Sequence, residues 1–83
     1  MSEVKTKIIK YRPLSKTMIE ALMDCHEREL LNLEPYDVCS IKYSTKALID
    51  RGLLETKDII TGKGKRILAV FVTNLGITIL NSL

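Results

Sequence analysis

Eighty-three residues, 46% of them hydrophobic and 28% charged, make one globular domain and exclude a disordered chain. A formal net charge of +3 is too small to mark a nucleic-acid binder by itself, so the distribution of charge says more than its sum. The opening MSEVKTKIIKYR has no signal-peptide pattern, and no stretch is apolar for long enough to span a bilayer; the expectation is a cytoplasmic protein with no membrane partner.

Charge is segregated in blocks. Lys5, Lys7, Lys10, Arg12 and Lys16 stand against Glu3, and then Glu20, Asp24, Glu27, Glu29, Glu34 and Asp37 against Arg28 alone. Residues 38–66 turn basic again, and the tail from Ile67 onward carries no charged side chain. A chain this short buries only roughly 60% of its unfolded surface, so its own core is thin. Abundant Leu and Ile then favour completion of the core by a second copy, a homodimer. Cys25 and Cys39 are expected as reduced, mostly buried thiols rather than a bridge.

In chain order, residues 1–14 form a basic N-terminal arm or strand. The first helix is expected from Lys16 to Leu31, capped by Ser15 or by Thr17, which has Glu20 at capping-box spacing. Ile19, Leu22, Met23, His26 and Leu30 recur at helical steps, with Ala21, Cys25 and Leu33 extending the apolar surface. The acidic side of this helix would repel phosphate and is expected to sit away from any nucleic acid. Pro35 suits the first turn of a new helix. Tyr36 to Ser40 forms either one short helix or the opening turns of the next.

The next helix spans Val38 to Arg51. Val38, Ile41, Thr45, Leu48 and Ile49 face inward, while Lys42, Tyr43, Lys46, Ala47 and Asp50 face outward, and Gly52 provides a left-handed stop. Leu53–Ile60 and Ile67–Thr73 read as two strands joined by a basic tip, TGKGKR, whose glycines permit positive φ. Two strands alone are marginal, so they must lie on the helices. Thr73 or Asn74 then caps a short helix running to Leu83, softly broken at Gly76.

ALIDRGLLE at residues 47–55, VTNLGITIL at residues 72–80 and the Gly- and Lys-rich tip between them carry a resemblance. Residues 15–83 resemble a winged helix-turn-helix DNA-binding domain, similar to small bacterial, archaeal and phage regulators of the multiple-antibiotic-resistance-regulator and phenolic-acid-regulator type. The resemblance implies an α+β fold: a three-helix core, a two-stranded basic wing and a short C-terminal helix. The short segment holding Pro35 leaves room for only a reduced second helix. In such regulators the recognition helix enters the major groove and the wing lies on the backbone or minor groove. Carried over, Lys42, Tyr43, Lys46 and Asp50 become groove-facing candidates of the recognition helix, and Lys63, Lys65 and Arg66 wing contacts; Arg51, in the last turn, either contacts phosphate or compensates the end of the helix.

The function expected is sequence-specific binding of double-stranded DNA by a transcriptional regulator, with two copies on two half-sites. The alternative is a protein–protein adaptor docking through the acidic or apolar face. Few aromatics argue against a single-strand stacking platform. His26 reads as a packed structural histidine. Cys25, His26 and Cys39 lack a fourth ligand and zinc spacing, and no nucleophile pairs with the histidine. Neither an enzyme nor a cofactor or metal is expected.

Overall fold

The computed structural model describes residues 13–83, so the expected arm lies outside the described residues as far as residue 12. Ser15 starts α1 (Lys16–Leu30): its hydroxyl accepts the Met18 N–H at 3.2 Å, a role the Thr17–Glu20 pair does not take. The helix ends at Asn32, in the left-handed region at φ 54°. Leu33 N–H donates to Arg28 O at 2.9 Å and Asn32 N–H to Glu29 O at 3.3 Å, which closes the last turn.

The core side of α1 is Met18, Leu22 and Cys25. Leu22 of the expected stripe and Cys25 of its extension are in the core, and Met18 joins them. Met23 and Leu30 from that stripe are 53% and 69% exposed, whereas His26 is half-buried. Two apolar rows overlap on this helix, and periodicity alone does not say which one meets the body.

Between α1 and the next helix the chain departs from expectation. Pro35 starts no helix, and the segment runs extended to Asp37, which forms an isolated antiparallel bridge with Ala69. Asp37 then caps a single 3₁₀ turn (Val38–Ser40) by accepting the Cys39 N–H at 3.0 Å. Ile41 and Lys42 are again extended, and α2 spans only Tyr43–Asp50 instead of starting at Val38. A side chain that caps at Asp37 ends one run and opens another, which an apolar period cannot register.

Gly52, at φ 78°, closes α2 with two reciprocal bonds: Leu53 N–H to Leu48 O and Gly52 N–H to Ile49 O, each 3.0 Å. The chain passes directly into β1 (Leu54–Ile60), which pairs antiparallel with β2 (Arg66–Val72), Leu54 opposite Val72 and Ile60 opposite Arg66. At the tip, Gly64 N–H donates to Thr61 O at 2.8 Å and Thr61 N–H to Lys65 O at 2.7 Å. Gly64 sits at φ 83°, the left-handed position of a three-residue hairpin loop.

A two-stranded hairpin leaves N–H groups along its edges. On the outer side of β2, Val70 N–H donates to Tyr36 O at 3.0 Å, and Val72 N–H donates to the Glu29 carboxylate at 2.7 Å. The segment carrying Tyr36 is held in turn by α1. Arg28 stacks on the Tyr36 ring at 4.0 Å and donates to Glu34 O at 2.5 Å, while the Tyr36 hydroxyl donates to Asp24 at 2.5 Å.

The last helix, α3 (Asn74–Asn81), runs through Gly76 without a break. Thr73 caps it, accepting the Gly76 N–H at 3.1 Å and donating its own hydroxyl proton to Gly52 O at 2.7 Å. The described residues thus form an α+β domain with three α-helices and a two-stranded antiparallel sheet. Its core is Met18, Leu22, Cys25, Leu48, Leu53, Leu54, Val70 and Val72. Leu14 packs against this core.

Gly76 is needed for its size. A methyl group there would collide with the Leu53 carbonyl and lie 2.7 Å from Val72 Cγ1, whereas one at Gly62 would meet open space. Gly76→Ala is expected to cost about 1–3 kcal/mol in urea unfolding, as overpacking does. Gly62→Ala is expected to be neutral or stabilising by up to about 1 kcal/mol.

Candidate nucleic-acid interface

The cationic side chains expected to act together occupy two places. On α2, Tyr43, Lys46 and Asp50 are exposed at helical steps on one side, with Tyr43 87% exposed, and Lys42 is exposed just before the first turn. Arg51 is half-buried at the end of the helix. Thr45 and Leu48 are buried on the opposite side, which fixes the rotation of the helix and leaves Lys46 outside.

The N-terminal end of α2 differs from the other helix starts. α1, the 3₁₀ turn and α3 open on side-chain caps from Ser15, Asp37 and Thr73, whereas Lys42 at this position makes no side-chain capping bond. Thr45 N–H turns back to Lys42 O at 3.1 Å, and no side chain caps the N–H groups of Tyr43 and Ser44 before it.

The second place is the hairpin tip, where Lys63, Lys65 and Arg66 are exposed. Arg66 is oriented from within the strand pair: its Nε lies 3.1 Å and 3.2 Å from the two oxygens of Asp58. The pair is 77% and 55% exposed, so it sets the direction of the guanidinium more than it stabilises the fold. Lys57, lower on β1, stacks over Phe71 at 5.2 Å. Lys63 and Lys65 extend from the loop itself, whose geometry is held by Thr61, its hydroxyl accepting the Lys65 N–H at 3.2 Å.

The acidic side of α1 lies close to the start of α2, where Glu20 and Asp24 share a cleft of about 420 Å³ with Lys42 and Ser44. A helix-by-helix reading of charge misses this, since the 3₁₀ turn folds the start of α2 back against α1.

The two thiols also divide. Cys25 is buried and Cys39 exposed, and both are free, so Cys39 departs from the expected burial. Burial, with Asp24 and then Glu29 nearby, pushes the Cys25 thiol from its ordinary 9.0 up to about 11, partly opposed by Arg28. Among the described residues no group of three or more His, Cys, Asp and Glu side chains is placed to hold a metal ion. Among the same residues no helix is long and apolar enough to cross a membrane.

Comparison of the chain with protein-family models, with curated proteins and with solved structures gives no match.

At neutral pH, a thiol reagent should titrate Cys39 in the folded protein and Cys25 only after denaturant is added. The folded chain keeps the Cys25 proton between pH 9.0 and about 11 while the unfolded chain loses it. Stability from this group is therefore present below pH 9 and lost as pH rises toward 11. Cys25→Ala should flatten that part of the unfolding profile relative to the parent.

Proposed function

We propose that this chain is a winged helix-turn-helix domain that binds double-stranded DNA as a transcriptional regulator. The observation that carries the reading is the cationic hairpin tip on a strand pair joined directly to α2. Lys63 and Lys65 lie in one short loop with Arg66 opening β2 beside it, and α2 offers Tyr43, Lys46 and Asp50 on its exposed side. The order of elements supports it, including the Asp37–Ala69 bridge that lays an extended segment beside β2, with a 3₁₀ turn standing for the reduced second helix.

In this reading the loop cations and Lys42 hold phosphates and position the protein. Lys46 and Tyr43 meet base edges in the major groove, Asp50 accepts from a cytosine amino group, and Arg51 contacts the backbone near the end of the helix. Binding, not catalysis, is the activity, and regulation follows from occupancy of a promoter.

A second copy fits the same reading. Met23, Leu30, Leu31 and Leu33 are each more than half exposed along α1 and just beyond its end, and α3 exposes Leu75 while carrying no charged side chain. Exposed apolar side chains in a group are what a subunit contact uses, with Glu27 beside Met23 and Leu30 on the same side of α1. Two copies would double the contacts and read two half-sites. An adaptor that binds another protein through this face is the competing reading.

Fluorescence anisotropy on a labelled duplex across a salt series tests the first claim. Binding should weaken steeply with salt, and a variant with alanine at Lys63, Lys65 and Arg66 should lose affinity and show a slope shallower by about 2–3. Absence of duplex binding at low salt sinks the regulator reading. For the second claim, sedimentation velocity should give a dimer for the parent and a monomer for Met23→Glu/Leu30→Glu, with unchanged helical circular dichroism. A parent that sediments as a monomer at high concentration rejects the homodimer.

A further inference from the structure

The even-numbered residues of the two strands share one side of the hairpin, because side chains alternate along a strand. Near the body this side is core: Leu54, Val70 and Val72 are 2%, 2% and 7% exposed. Toward the tip the same side continues past the helices. There it carries Ile60, 71% exposed, and Leu68, 43% exposed, beside Asp58 and Arg66 in the strand register.

The opposite side of the tip is supported. Thr61 and Ile67 are 9% and 8% exposed, and they share a cleft with Pro35, Tyr36 and Ser40 of the segment before α2. The loop is thus backed on one side and presents Ile60 and Leu68 on the other. Arg66 stands opposite Ile60 in the strand register, Lys63 is exposed in the loop, Lys65 lines the cleft on the supported side, and Asp58, opposite Leu68, is bound to Arg66.

We propose that Ile60 and Leu68 are themselves DNA contacts. They form an apolar pad that packs against the deoxyribose walls of the minor groove while Lys63, Lys65 and Arg66 hold the flanking phosphates. The inference rests on the DNA-binding reading and adds to it a component of affinity that salt does not screen. Charge complementarity selects the partner, since a narrow groove with apolar walls between two rows of phosphates matches apolar side chains bordered by cations. Two exposed aliphatic side chains are too little apolar surface to anchor a protein on a bilayer.

The test compares the parent protein, Ile60→Ala/Leu68→Ala and Lys63→Ala/Lys65→Ala on a labelled A·T-rich duplex across a salt series. Loss of the apolar pad should weaken binding about tenfold at every salt concentration and leave the slope of log K against log salt unchanged, because no counterion is released by an apolar contact. Loss of the two lysines should make that slope shallower by about 1–2. The thermal midpoint of Ile60→Ala/Leu68→Ala should stay near that of the parent, because both side chains are already exposed.

Parent-like duplex affinity in Ile60→Ala/Leu68→Ala overturns the proposal while leaving the DNA reading intact, as does a change of slope in that variant. A parent protein that binds no duplex but binds vesicles of anionic phosphatidylglycerol overturns both and assigns the pad to a lipid surface.

Discussion

A strand pair of this size cannot stand by itself, and the outer edge of β2 is where the fold solves that problem. Val70 and Val72 turn their N–H groups away from β1, and the acceptors are the Tyr36 carbonyl and the Glu29 carboxylate. Leaving either donor buried and unmet would cost about 1–3 kcal/mol. Much else follows from meeting this demand. Glu29 must point at the sheet, so α1 is rotated to place Met18, Leu22 and Cys25 inward and to leave Met23 and Leu30 outside. Tyr36 must lie along β2, so the chain before α2 is spent on an extended segment and only one 3₁₀ turn remains. The shortened middle of the fold and the uncovered apolar row of α1 are consequences of one edge being satisfied.

Much of the fold was legible because its punctuation is local. Gly52 needs positive φ, Thr73 needs only the N–H three residues on, and the two glycines of the tip sit within one loop; each acts where a reader of the chain finds it. Glu29 could not be read in the same way, since its partner lies 43 residues further along and its charge suggested solvent. Gly76 looked like a helix breaker, whereas its lack of a side chain admits the Leu53 carbonyl. The lysines of the candidate interface stood out through composition and turn chemistry. Ile60 and Leu68 did not, because alternation of apolar residues does not reveal where along a strand the body stops covering it.

The arrangement of charge shows the same limit in another form. Blocks of acid and base along a sequence suggest separate faces, yet the turn at Asp37 brings Glu20 and Asp24 against the start of α2. Of the cationic positions, the hairpin loop is the one whose acid is fully committed within the strands, through Asp58 and Arg66. In the DNA-binding reading proposed above, this difference would make the loop the place that holds phosphate and the helix the place that reads bases.

The junction at Gly52 and Leu53 has a mechanical meaning. Thr73 binds both of its carbonyls, through its hydroxyl to Gly52 and its N–H to Leu53, while Leu53 N–H returns to Leu48 and Gly76 lies against the Leu53 oxygen. Helix, hairpin and closing helix thus meet at one hydrogen-bonded junction. A one-residue insertion there would break the register of all three elements at once, whereas one in the hairpin tip would leave the junction as it is.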